Sequence, residues 1–216
     1  MKMKACIFDL DGTLLDSMGV WEQIDMDFLT KRGLAVPPDY INAIASRSFS
    51  EAAEYTIAHF GLPDSADQLI REWYDMAVYA YGHMVPLKPC AREYLALLRK
   101  HRVRLGIATS LPAGLYEPAL RNHGILEWFD VICSTDEVVC GKTKPDVYLL
   151  TAEKLGVNPA DCMVFEDIPQ AVQSAKDAGM AVYGVYDEAS KKHWTWIQKT
   201  ADGTIYDFKD APLPAT

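Results

Sequence analysis

"VRLGIAT" (103–109) and "FDVICS" (129–134) are short runs without a polar face, and residues 113–123 between them carry a helical pattern. Strands of that kind belong inside parallel sheets covered by helices, so this stretch predicts a β-α-β unit. The rhythm continues outward, with strands at "CMVFED" (162–167) and "MAVYGVY" (180–186) and helices over 145–156 and 168–178. "EKLGVNPADC" and "KDAGMAVYG" each stop a helix at glycine before a new strand begins. Upstream, "MKACIFDL" (3–10) is a further strand of the same type. The fold class expected is therefore α/β, a Rossmann-like parallel sheet flanked by helices. Residues 18–82 break the rhythm, with helix-like segments near 18–33, 38–46, 49–60 and 66–82 and no strand. They predict an all-helical cap inserted into an α/β core formed by 1–17 and 83–216, with "HMVPLKP" (83–89) as the return linker and the tail "FKDAPLPAT" frayed.

The chain has 216 residues, half of them apolar, enough for one sizeable core with a small insert. Its formal charge of −9, with no basic cluster expected to offset it, argues against nucleic acid or an anionic membrane as partner. Any anionic substrate must then meet locally placed cations. No run approaches the ~18 apolar residues of a membrane span, and Asp9 interrupts the apolar stretch after "MKMK", against a signal peptide. Cys6, Cys90, Cys133, Cys140 and Cys162 form no C-x-x-C pair and read as reduced, mostly buried thiols. A cytoplasmic location is expected.

Ligands of open α/β sheets gather beyond the carboxyl ends of the strands. At those ends stand Asp9 and Asp11 in "IFDLDGTLLDS" (7–17), Thr109 and Ser110, and Glu166 and Asp167, while "GKTKPD" (141–146) offers Lys142 and Lys144. The two-residue period of a strand turns Asp9 and Asp11 to one side. Two carboxylates 4 Å apart repel by roughly 4 kcal/mol at an effective dielectric of 20. Four carboxylates, hydroxyls and a lysine converging on one crevice suit an oxygen-seeking cation such as Mg²⁺ together with a phosphate. A carboxylate can then serve as covalent nucleophile in phosphoryl transfer.

At this point "DLDGT" (9–13), the strand ending in Thr109, "GKTKPD" and "ED" (166–167) resemble the four ordered motifs of the haloacid dehalogenase-like hydrolases. The resemblance spans the chain, and the insert sits where the family's sugar-phosphatase and phosphoglucomutase-like branch carries a small helical cap. It implies a Mg²⁺-dependent phosphatase, working as a monomer on a small phosphorylated metabolite, either a sugar phosphate or a nucleotide. By the same resemblance Asp9 is the nucleophile and Asp11 the general acid and base, its carbonyl also a metal ligand. Thr109 and the Ser110 backbone bind phosphoryl oxygens, Lys142 balances charge, Asp167 completes the Mg²⁺ site, and Glu166 ligates directly or through water. The family usually reads K-P-x-P-D; here K-T-K-P-D puts Thr143 at the usual proline, which favours Lys142 and leaves Lys144 possible.

Asp11 argues against the dehalogenase branch, and Lys31 is the only cap lysine that the phosphonate-cleaving branch could use. The alternative is a β-phosphoglucomutase-type isomerase, but Thr13 and Trp21 stand where those mutases commonly have valine and histidine. A phospho-accepting signalling module is a further alternative, weakened by the length and the insert. Plainer roles are expected elsewhere. Asp16 and Ser17 would cap the first cap helix, Asp146 would cap or orient the lysine loop, and Gly12 would permit a close backbone approach. Met18, Trp21 and Met26 would pack the cap, the first two near the substrate entrance, and Arg47 is a candidate substrate contact. Trp194 and Trp196 read as packing, and no histidine is assigned a role.

Overall fold

The computed structural model describes residues 3–37, 40–44 and 49–214. Six parallel strands, β1 (Ala5–Phe8), β2 (Arg104–Thr109), β3 (Val131–Ser134), β4 (Cys162–Glu166), β5 (Ala181–Val185) and β6 (Gly203–Ile205), form one sheet in the order β3-β2-β1-β4-β5-β6. β1 is central, with Phe8 level with Ile107 on one side and Phe165 on the other. Its alternating side chains feed two cores. Cys6 and Phe8 face the layer of α5 (Ala91–Lys100) and α6 (Ala113–Asn122), while Ala5 and Ile7 face α7 (Asp146–Leu155), α8 (Pro169–Asp177) and α9 (Trp194–Thr200).

Between β1 and α5 lie the helices of the insert, α1 (Val20–Lys31), α2 (Tyr40–Ile44), α3 (Phe49–Phe60) and α4 (Ala66–His83). The Ser65 hydroxyl and the Gln68 side chain exchange hydrogen bonds with each other's backbone N–H and start α4. Phe28 packs edge-on to Trp73, and Arg32 lies over Phe28 while its guanidinium donates to both oxygens of Glu72 at 3.2 and 2.6 Å. The outgoing and returning linkers run side by side. Asp16 N–H donates to Pro86 C=O and Lys88 N–H to Leu14 C=O, at 2.9 and 2.8 Å.

Three expectations need correction. The tail is not frayed: Phe208 is buried among the rings of Phe8, Tyr94 and Phe165, worth about 2 kcal/mol, and the Tyr94 hydroxyl donates to Pro212 C=O. Trp194 is packed, but Trp196 is 41% exposed. The chain does carry a basic cluster, with Arg99, Lys100, Arg102 and Arg104 all on the surface. Cys6, Cys133 and Cys162 are buried thiols and Cys90 and Cys140 exposed ones. No helix among the described residues is long and apolar enough to cross a membrane.

Candidate active site

The central strand delivers the first carboxylate. Asp9 follows β1 and stays on the ladder, its N–H donating to Phe165 C=O at 3.1 Å. Glu166 ends β4 and Asp167 follows it, and all three side chains are buried. One oxygen from each of Asp9, Glu166 and Asp167 lies within 4.8 Å of the others. Lys142 arrives from the 3-10 turn Gly141–Thr143, whose chain is tied down by the Ser174 hydroxyl donating to Lys142 C=O at 2.8 Å. Its ammonium donates to Asp9 Oδ1 and, at 2.5 Å, to Glu166 Oε1, which also accepts from the Tyr148 hydroxyl at 2.7 Å. Lys144 is exposed. The geometry thus brings Lys142 to the cluster.

One ammonium does not neutralise three carboxylates. Burial pushes Glu166 up to about 7, with Asp9 adding to the shift against the pull of Lys142 and Tyr148. Asp167 is also raised, by burial and then by Asp9 and Glu166. Burial alone would lower the Lys142 pKa, but Asp9 and Glu166 raise it overall, so this side chain stays a cation. Glu166 Oε2 is buried without a hydrogen-bond partner, and leaving such an acceptor unmet costs about 1–3 kcal/mol. A hard divalent cation bound by oxygens supplies the missing charge and the missing partner, so the residues present fit Mg²⁺.

Asp11 lies beyond Asp9 on a turn that only glycine allows. Gly12 has φ +80°, and a Cβ there would stand 2.5 Å from Asp167 Oδ2. Thr13 is buried, its hydroxyl donating to Asp167 Oδ1 at 3.3 Å. Asp11 Oδ1 accepts from the Ser17 hydroxyl at 2.6 Å and from the Tyr81 hydroxyl at 2.8 Å. Burial raises the Asp11 pKa and Asp9 adds to it, while Ser17, Tyr81 and Lys142 hold it back. Ser17 is therefore a partner of Asp11, not a helix cap. Helix α1 begins at Val20 with no side chain capping it, and Asp16 is exposed beside Lys88, 3.3 Å from its ammonium.

Thr109 closes β2 at the same edge of the sheet, buried, its Oγ1 accepting from Leu111 N–H at 3.0 Å; Ser110 next to it is exposed. Asp146 stands in the first turn of α7, behind Pro145, and no side chain caps that helix. Lys31 pairs with Glu72 at 3.0 Å. Met18 is largely exposed and lies over Gly12, whereas Trp21 and Met26 are half-buried. Arg47 lies outside the described residues. Sequence reasoning missed Tyr81, Tyr148, and the loop after β5. In that loop the Ser190 hydroxyl donates to Asp167 Oδ2 at 3.3 Å, and buried Asp187 accepts from Lys88 at 2.6 Å. Lys88 in turn belongs to the return linker, so this loop joins the linker to the carboxylate cluster. The one available signal was their position, since Asp187 and Ser190 follow a strand end.

A family profile described as haloacid dehalogenase-like hydrolase matches residues 3–179. A phosphorylated carbohydrates phosphatase of Thermotoga maritima is 29% identical over 184 residues, 85% of either chain. A validoxylamine A 7'-phosphate phosphatase of Streptomyces hygroscopicus subsp. limoneus is 32% identical over 84% of this chain and 85% of its own. A solved structure from Thermotoga maritima that bears a β-phosphoglucomutase name is 27% identical and superposes with a TM-score of 0.82, over 94% of both chains.

Proposed function

The chain belongs to the haloacid dehalogenase-like hydrolase family, and on that premise we propose that it is a Mg²⁺-dependent phosphatase of small phosphorylated metabolites working through a phosphoaspartate on Asp9. The observation that carries this reading is the buried group of Asp9, Glu166 and Asp167 with the single ammonium of Lys142 and one orphaned carboxylate oxygen. The phosphorylated carbohydrates phosphatase among its relatives supports a sugar phosphate as the substrate class, with a nucleotide as the alternative.

The Asp9 carboxylate attacks phosphorus, and the bond from phosphorus to the ester oxygen breaks as Asp11 gives that oxygen its proton. Asp11 then takes a proton from water, whose oxygen attacks the phosphoaspartate and releases phosphate and the Asp9 carboxylate. Hydroxyl and N–H groups of Thr109 and Ser110 and the ammonium of Lys142 hold the phosphoryl oxygens. Asp9, Asp167, the Asp11 carbonyl and Glu166, the last directly or through water, would hold Mg²⁺, which neutralises negative charge where the phosphoryl group binds. Residues 18–82 act as the cap of this site, with Met18 over its mouth.

A mutase reading has one observation in its favour, the β-phosphoglucomutase name of a similar structure. Product analysis separates the two. With Mg²⁺ the protein releases phosphate from p-nitrophenyl phosphate and from members of a sugar-phosphate and nucleotide panel, and chelation abolishes release. Conversion of β-glucose 1-phosphate to glucose 6-phosphate with little phosphate release would overturn the hydrolytic reading.

A further inference from the structure

Six helices among the described residues end in the same way. A residue at the cap or just past it takes a positive φ, and the next N–H returns to a carbonyl five residues back. In five of them that residue is glycine: Gly33, Gly61, Gly124, Gly156 and Gly179. In α5 it is Arg102, at φ +59°, with Val103 N–H donating to Leu98 C=O at 3.0 Å. A side chain at that φ is strained, and glycine would serve the closure better. What Arg102 adds is its guanidinium.

Arg102 lines a groove of about 250 Å³ with Arg99 and Trp128, and Arg104, whose guanidinium donates to Leu155 C=O at 2.6 Å, borders it. The guanidinium carbons of Arg92 and Arg99 lie 5.0 and 5.1 Å from the Trp128 ring centroid. Carboxylates outnumber cations in this chain, 30 to 21, and ten of the lysines and arginines among the described residues are ion-paired. Arg99, Arg102 and Arg104 form no ion pair among the described residues. Glu127 and Asp130 share the groove, and Asp130 is engaged by Leu105 N–H at 2.8 Å. Two guanidinium groups without a carboxylate partner, Arg99 and Arg102, thus meet at one groove, the second of them on a strained backbone position. Arg104 opens β2 and Thr109 closes it, so the groove lies on the order of 16 Å from the carboxylate cluster, at the opposite end of the sheet.

We infer that this groove is a second anion site, which takes a small, densely charged phosphate ion such as pyrophosphate on the forked donors of Arg99 and Arg102. Guanidinium groups match pairs of phosphate oxygens, and a cavity smaller than the ~300 Å³ typical of the smallest ligand pockets favours an ion over a whole nucleotide. The test is a pyrophosphate titration of the intact protein, followed at the Trp128 indole N–H resonance, with Trp128→Phe assigning the peak. A saturable shift is expected, with affinity at least roughly tenfold weaker in Arg102→Gly and in Arg99→Ala, and unchanged in Asp9→Asn. Arg102→Gly should also melt at a higher temperature than the parent, which separates lost binding from lost folding. The site is refuted by an unmoved Trp128 peak at about 10 mM pyrophosphate, by equal affinity in Arg102→Gly, or by a shift that vanishes in Asp9→Asn. A Trp128 shift produced by a single-stranded oligoribonucleotide but not by pyrophosphate would refute it in favour of a nucleic-acid surface.

Discussion

Glu166 in the core and Glu72 in the helical insert both lie within hydrogen-bond reach of a cation, yet they are held in opposite states. Burial pushes Glu166 up to about 7, whereas Arg32, with Lys31 beside it, pulls Glu72 down to about 2. Glu72 has two cations, both of its oxygens engaged, and a partly exposed side chain. Glu166 shares one ammonium with Asp9 and keeps one oxygen unmet. The insert's pair is satisfied and serves stability. The core's cluster is short of positive charge and costs stability, an arrangement that makes sense where a cation and a phosphate are to be bound.

The largest effect expected comes from disturbing the crowded region without touching a charge. Gly12→Ala puts a Cβ against Asp167 Oδ2, so steady-state assays should show phosphatase turnover lower by about a hundredfold or more, and titration calorimetry weaker Mg²⁺ binding. Unchanged metal affinity in a folded variant would break the link between the Gly12 turn and the carboxylate cluster. Tyr81→Phe removes a donor from the charged form of Asp11, so the Asp11 pKa rises further. The rate profile should shift to higher pH on the limb that reports Asp11, with kcat down by about tenfold, and Ser17→Ala should move the same limb in the same direction.

The smallest effects concern stability. Glu166, with its pKa raised in the folded state, favours folding below its unfolded value near 4.5, and that contribution is lost as pH rises to about 7. Without metal, denaturant titrations of the parent and Glu166→Gln should therefore diverge over that window, by on the order of 2 kcal/mol, with the parent losing ground as pH rises. Glu72 behaves oppositely. Its contribution is present above about 4.5 and lost as pH falls toward 2, worth about 1 kcal/mol after solvent screening. Glu72→Gln should lower stability at neutral pH and leave kcat unchanged.

The core's half of this contrast was legible in the residues, whereas the Glu72–Arg32 pair was not. Strands β1 to β5 could be read because each is apolar on both faces, Asp9, Glu166 and Asp167 because chemistry gathers at strand ends, and Lys142 because its loop resembles a family motif. β6 escaped because Gly203–Ile205 is a three-residue edge strand with almost no pattern. Phe208 escaped because a lone aromatic in a proline-containing tail has no periodicity, and only the cluster of Phe8, Tyr94 and Phe165 explains its burial. The reach of Tyr81 to Asp11 joins residues 70 positions apart, through a helix whose end is placed by tertiary packing. Asp16 and Ser17 looked like a cap because hydroxyls and carboxylates before a helix usually are one. Here the Ser17 hydroxyl donates to the Asp11 carboxylate instead.

The central claim, that Asp9 carries the phosphoryl group, is open to direct chemical trapping. Rapid quenching during turnover followed by borohydride reduction converts a phosphoaspartate to homoserine, which peptide mass spectrometry locates. Homoserine should appear at position 9, and should be absent when Mg²⁺ is chelated and in Asp9→Asn. Homoserine at another aspartate, or full turnover with none at position 9, would contradict the account.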